Sequence, residues 1–151
     1  MVHHADRMPY VSTLAAICQV RAVESGLGDH HPPITPEMLA VYDLIRHRVI
    51  FSRDPIGVEL PRSPDQLAAT ILDGYEALGD CDCVAGLGAS MLRLLGERPA
   101  LIVMGRRAGR PYEHIYYGAV GPDGRVIPFD PQERVEPGRE VPAVRRKEYR
   151  L

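Results

Sequence analysis

The cysteine at position 81 stands where a polar turn runs directly into an apolar helix, and this junction divides the chain into two kinds of pattern. The turn reads Gly79-Asp80-Cys81-Asp82. Apolar residues spaced three and four apart follow it, which predicts a helix that begins at Cys81 and stops just before Gly96. Helical patterns precede this segment and β patterns follow it, so the chain is predicted to be α+β, with helices packed on a small antiparallel sheet.

Bulk properties exclude several classes of protein. The chain has 151 residues, 45% hydrophobic and 25% charged, which suits one globular domain. A net charge of −2 gives no electrostatic reason to expect nucleic acid or a membrane as a partner. No segment resembles a signal peptide or a transmembrane helix. An odd count of three cysteines argues against a disulfide scaffold and favours a reducing compartment.

Three further helices are predicted before the cysteine. One spans Ser12 to Val23 on the spacing of its apolar residues. Thr35 and Ser63 are each followed by proline, the pattern of an N-cap before the first helical position, and the second of these helices ends near Gly74. Residues 46–51 are predicted to be a short strand or extended segment.

The remainder of the chain is predicted as β structure. Strands are expected at 100–104, 114–120 and 125–129, and Pro122-Asp123-Gly124 has the composition of a hairpin turn. The predicted organisation is an N-terminal segment that serves as a helical docking arm, a core, and a C-terminal tail or edge strand, at residues 1–35, 36–137 and 138–151.

Two residues in the predicted β region complete a set with the cysteine. His114 follows Cys81 by 33 residues and Asp130 follows His114 by 16. A thiol must ionise to attack, and a helix N-terminus favours the thiolate. An imidazole can accept and return its proton while a carboxylate orients the ring, so the three residues form a candidate catalytic triad.

Four motifs, in order, resemble the transglutaminase-like superfamily, which has a papain-like fold. The first motif is the segment upstream of the cysteine, which contains Asp54-Pro55, Glu59 and Pro64-to-Leu67. The second is the Gly79-to-Asp82 turn with the helix that follows it. The third and fourth are His114-Ile115-Tyr116 and Ile127-Pro128-Phe129-Asp130-Pro131. The closest resemblance is to the small transglutaminase-like proteins of tailed bacteriophages and prophages, which carry Gly-Asp-Cys-Asp-Asp. Cys83 stands here in place of the second aspartate of that motif.

This resemblance implies a cysteine peptidase or amidase, or an acyltransferase, that acts on peptide or isopeptide bonds through a thioester. Cys81 would be the nucleophile, His114 the general base and acid, and Asp130 the orienting residue. The substrate would be a protein or peptide, and no metal or organic cofactor is implied. Expected locations are the bacterial cytoplasm and a phage particle.

Further candidate roles fall on residues near the triad. The backbone N–H of Cys81 is the natural first oxyanion donor. Two acidic residues either cap the helix or line the cleft, and a basic loop before His114 is either solvated or gates the substrate; these are Asp80, Asp82, Arg106, Arg107 and Arg110. Cys18 and Cys83 are interpreted as structural thiols.

Two other functions stay open at this point. On the same fold, the chain could be a virion assembly component with a vestigial triad, whose partners would be other phage structural proteins. A papain-like site also suits cell-wall amide hydrolysis, although no wall-binding repeat is present.

Overall fold

The structure is a computed structural model, and it describes residues 8–24, 33–52, 62–109 and 111–151. In these residues the helices are α1 (Pro9–Glu24), α2 (Pro36–Arg48), α3 (Pro64–Leu72) and α4 (Cys81–Leu94). The strands are β1 (Val49–Phe51), β2 (Ala77–Gly79), β3 (Pro99–Gly105), β4 (His114–Val120), β5 (Val126–Phe129) and β6 (Arg145–Arg150). The predicted α+β class is confirmed. The described residues include no helix long and apolar enough to cross a membrane.

Capping hydrogen bonds explain where α1, α2 and α3 begin. The hydroxyl of Thr35 accepts a hydrogen bond from the Met38 N–H at 3.2 Å at the start of α2. Ser63 and Gln66 form a reciprocal capping box at the start of α3. The carboxylate of Asp65, in the first turn of α3, accepts the Tyr10 N–H at 2.9 Å. That last bond caps α1 from a distant part of the chain and joins the two helices.

The prediction of a strand or extended segment over residues 46–51 is wrong in its first half. Helix α2 continues to Arg48, and only Val49–Phe51 forms a strand. Basic residues in the last helical turn suit the negative end of the helix dipole. Arg48 also donates to the carbonyl oxygen of Ile71, in the last turn of α3, and to that of Tyr75, just beyond the helix.

Two sheets are present among the described strands. β1 and β2 pair in parallel, with Phe51 opposite Gly79, one residue before the turn into α4. The larger sheet is antiparallel, in the order β5-β4-β3-β6. β6 lies at its edge, within the segment predicted as a tail or edge strand.

Helix α4 packs against the inner face of the larger sheet and against the other three helices. Gly88 of α4 lets the ring of Tyr117 approach so closely that a Cβ at this position would lie 2.4 Å from a ring carbon. Tyr117 stacks in turn on Phe129, with ring centroids 5.5 Å apart. Helix α1 contributes buried residues to the same core, including Val11 and Cys18. The division of the chain into docking arm, core and tail stays a prediction.

The outer face of the larger sheet has a second, smaller apolar cluster. Ile102, Met104 and Tyr116 are buried there, and Val141 packs against them. The chain must cross this face to connect β5 at one edge with β6 at the other. The Tyr116 hydroxyl donates to the carboxylate of Glu140 in that crossing segment, which fixes the segment over the sheet.

Candidate active site

The N-terminus of α4 places two thiols in different environments. Asp80 is the N-cap, and its carboxylate accepts the Cys83 N–H at 3.0 Å. Cys81 is the first helical residue and is half-buried, whereas Cys83 is buried. Of the two roles left open for Asp80, the structure therefore shows capping, which holds the first turn and the Cys81 thiol in position.

Two strands bring the predicted base and its orienting residue together. His114 begins β4, and Asp130 directly follows β5, the hairpin partner of β4. His114 Nε2 lies 2.8 Å from Asp130 Oδ2, and both side chains are almost completely buried. Because Asp130 occupies Nε2, the other ring nitrogen, Nδ1, is the one left to exchange a proton with a thiol.

The Cys81 thiol is close enough to His114 to affect the pKa of its imidazole. Burial lowers the pKa of His114. The hydrogen bond with Asp130 and the interaction with the Cys81 thiol, together with the negative charge of Asp130, outweigh burial and raise the pKa from 6.5 to about 9. The charged imidazolium is therefore the favoured form at neutral pH, next to the thiol.

The other two thiols are in environments that oppose ionisation. Burial raises the pKa of Cys18 to about 11, although the charge of Arg21 lowers it slightly. Burial also raises the pKa of Cys83, and a hydrogen bond with Asp80 adds to this. Both thiols are thus expected to be poorly reactive.

The remaining predicted residues are dispersed around the site. Asp82 is exposed, and its Oδ1 lies 3.9 Å from Cys81 Sγ, within the range of a thiol hydrogen bond. Arg106 forms an ion pair with Glu133, three residues after Asp130. Arg107 is exposed, and Arg110 lies outside the described residues. The basic loop is therefore tied to the turn that follows Asp130 through Arg106.

Two neighbours of the triad were not identified from sequence. The ring of Tyr116 lies beside that of His114, with centroids 5.5 Å apart. Gln132, two residues after Asp130, has a buried side-chain oxygen that finds no hydrogen-bond partner within the described residues. Alternation along β4 could have indicated the Tyr116 contact, since residues two apart share a face.

No group of three or more His, Cys, Asp or Glu side chains in the described part of the chain could hold a metal ion.

Comparisons with known proteins support the fold at a coarse level. The sequence matches no protein-family model, and a search of curated proteins finds no significant match. Among solved structures, the fold is similar to that of a proposed cysteine protease from Cytophaga hutchinsonii, with a TM-score of 0.50 and 20% sequence identity. The likeness covers 84% of this chain and 42% of the other, so the chain spans less than half the length of that protein.

Proposed function

We propose that this chain is a cysteine-dependent acyl-transfer enzyme of the transglutaminase-like type, which acts on peptide or isopeptide bonds. The observation that carries the proposal is the buried pair of His114 and Asp130 beside Cys81, at the N-terminus of α4. A hydrogen-bonded imidazole and carboxylate next to a thiol are the groups that nucleophilic cysteine catalysis requires.

In the first half of the reaction, Cys81 acts as a thiolate and His114 as an imidazolium. The sulfur attacks the carbonyl carbon of the substrate amide and forms a C–S bond. The C–N bond then breaks as His114 gives its proton to the departing amine. Asp130 stabilises the positive charge on the ring before the transfer and holds the ring in position through Nε2.

In the second half, neutral His114 takes a proton from water, and the resulting hydroxyl oxygen attacks the thioester. The C–S bond breaks, and the thiolate and the imidazolium are restored. A primary amine in place of water would give transamidation by the same steps. The Cys81 backbone N–H, in the first turn of α4, is one donor for the oxyanion that forms in each half.

The similarity in fold to a proposed cysteine protease supports this function at the level of fold alone. The proposed membership of the phage and prophage subset rests on two sequence motifs, the Gly79-to-Asp82 turn and the upstream segment from Asp54 to Leu67. Assembly into a virion, with an inactive triad, stays a second prediction from sequence. Portal, tail or lysis genes in the gene neighbourhood would each favour a different role.

An activated ester tests acyl transfer without knowledge of the natural substrate. p-Nitrophenyl acetate should acetylate Cys81 in a rapid first turnover, and hydroxylamine should remove the acetyl group, as expected for a thioester. Peptide mass mapping locates the adduct. Cys81→Ala should abolish the burst and His114→Ala should slow it. A burst that survives Cys81→Ala, or one of the same rate in His114→Ala, would contradict the proposal.

A further inference from the structure

An aromatic side chain of the larger sheet contacts the imidazole of the proposed triad. The ring of Tyr116 lies beside that of His114, with centroids 5.5 Å apart and planes inclined at 33°. Both side chains are almost completely buried. Asp130 holds the imidazole at Nε2, and a hydrogen bond at one nitrogen tolerates tilting of the ring about it. The contact with Tyr116 therefore adds a second constraint on the orientation of the imidazole.

Tyr116 is held in turn by two charged residues from the C-terminal part of the chain, Glu140 and Arg146, which we call the clamp. The hydroxyl of Tyr116 donates to Glu140 Oε2. Arg146 donates to both oxygens of the same carboxylate, from Nε at 2.7 Å and from Nη2 at 3.0 Å. Paired donors of this kind fix the position and the plane of a carboxylate. Burial and the hydrogen bond with Glu140 raise the pKa of Tyr116 above its ordinary value, so the hydroxyl keeps its proton and stays the donor.

Strand register places the clamp next to the part of the sheet that bears His114. Met104 of β3 pairs with His114 in β4 and with Arg146 in β6. Ile102, two residues earlier in β3, pairs with Tyr116. The clamp thus reaches across β3 from the edge strand and ends on the ring that contacts the imidazole.

We propose that Tyr116 is a positioning residue for His114. Glu140 and Arg146 fix it in that role, so the C-terminal segment is required for full reactivity of Cys81. Without the clamp the Tyr116 ring loosens, the imidazole tilts, and Nδ1 moves relative to the thiol. Proton transfer between the two groups depends steeply on that geometry. This inference rests on the proposed function, because it names a residue that supports the same site.

A purely structural role of the clamp makes the opposite prediction. If Glu140 only anchors the segment that crosses the sheet, its loss loosens the fold and opens the buried thiols of Cys18 and Cys83 to reagents. Labelling of all three thiols then rises. If the clamp positions His114, the reactivity of Cys81 falls while the other two thiols stay protected.

Glu140→Ala separates the two roles, because it removes the clamp and leaves the three triad side chains in place. We expect the first-turnover acetylation of Cys81 by p-nitrophenyl acetate to slow about tenfold. Iodoacetamide labelling of Cys18 and Cys83 should not increase. Glu140→Gln keeps an acceptor for the Tyr116 hydroxyl and should restore most of the acetylation rate.

Glu148→Ala is the matched control. Glu148 accepts a hydrogen bond from Arg146 Nη1 at 2.9 Å, as Glu140 does from the other nitrogens of the same side chain. Ile102 pairs with both Glu148 and Tyr116, so these two residues lie on opposite sides of β3. Glu148→Ala therefore removes a comparable ion pair and should leave the acetylation rate unchanged.

An NMR signal tests the positioning role without reference to the reaction. The proton on His114 Nε2, donated to Asp130, should give a resolved downfield signal in wild type, and Glu140→Ala should broaden it through faster exchange with water. An active wild type whose acetylation rate is unchanged in Glu140→Ala, an unchanged NMR signal, equal slowing in Glu148→Ala, or a rise in labelling of all three thiols would overturn the positioning role. Absence of acetylation in wild type, with the signal broadened as expected in Glu140→Ala, would overturn the proposed function alone.

Discussion

His114 Nε2 and Asp130 Oδ2 lie 2.8 Å apart in the protein interior, and this pair gives the imidazole its unusual titration. The pKa of His114 is raised to about 9. Asp130→Asn keeps the shape of the side chain but removes its charge, and we expect the pKa to fall by one unit or more, toward 6.5. An NMR titration of the His114 ring protons measures this change.

Asp123→Asn is the matched control for that titration. Asp123 lies exposed in the turn between β4 and β5, where its carboxylate accepts the Arg125 N–H. Its substitution should leave the His114 titration unaltered. A wild-type pKa near 6.5, or the same value in wild type and Asp130→Asn, would contradict the role assigned to Asp130.

The same pair makes stability depend on pH. The folded-state pKa of His114, about 9, lies above its ordinary value of 6.5. The folded protein therefore holds the proton more tightly, and this stabilisation is fully present below pH 6.5 and is lost as the pH rises through 9. We expect the free energy of unfolding to fall by up to about 3 kcal/mol across this window. Urea unfolding measures this dependence, and His114→Gln should remove most of the decrease in the free energy of unfolding. A wild-type protein that is more stable at pH 9 than at pH 6.5 would contradict the prediction.

Substitution by alanine should have different effects on stability at two glycines of α4. A Cβ on Gly88 would lie 2.4 Å from the Tyr117 ring, which is held by its stacking on Phe129, so Gly88→Ala should destabilise the fold by about 2 kcal/mol. A Cβ on Gly86 would lie 3.5 Å from Pro64, an ordinary contact, so Gly86→Ala should be neutral or stabilise by up to about 1 kcal/mol. Chemical unfolding of both variants tests the packing of α4 on the sheet, and equal effects would refute it.

The N-cap of α4 should matter for reactivity as well as for stability. Asp80→Ala removes the hydrogen bond to the Cys83 N–H and should cost about 1 kcal/mol. Ser63→Ala removes the equivalent cap of α3 at a similar cost. Only Asp80→Ala should also change the alkylation rate of Cys81, because only that cap positions the thiol. Equal alkylation rates in the two variants would show that Asp80 has a structural role alone.

Sequence patterns predicted the elements whose signals are local. Thr35 and Ser63 cap helices where expected, and His114–Val120 is a strand with the predicted bounds. The turn into α4 was equally clear, because the cap, the apolar spacing and the terminal glycine at position 96 agree. Gly96 has the positive φ of 86° that such a helix end requires.

Features that depend on distant partners were harder to predict. The parallel pairing of Phe51 with Gly79 joins two segments with no common local signal, and Asp65 caps α1 from another helix. Spacing alone also could not show that Asp80 is occupied as a cap while Asp82 is exposed. In the site, sequence could name His114 and Asp130 as partners, but the pKa of the imidazole depends on burial and contact geometry.

The most direct test of the central claim compares the three thiols within one molecule. Limiting iodoacetamide near neutral pH should label Cys81 well before Cys18 and Cys83, because only Cys81 is partly exposed and lies beside an imidazolium. His114→Ala should slow the labelling of Cys81 without affecting the other two. Equal labelling of all three thiols, or no preference for Cys81 in the folded protein, would contradict the assignment of Cys81 as the nucleophile.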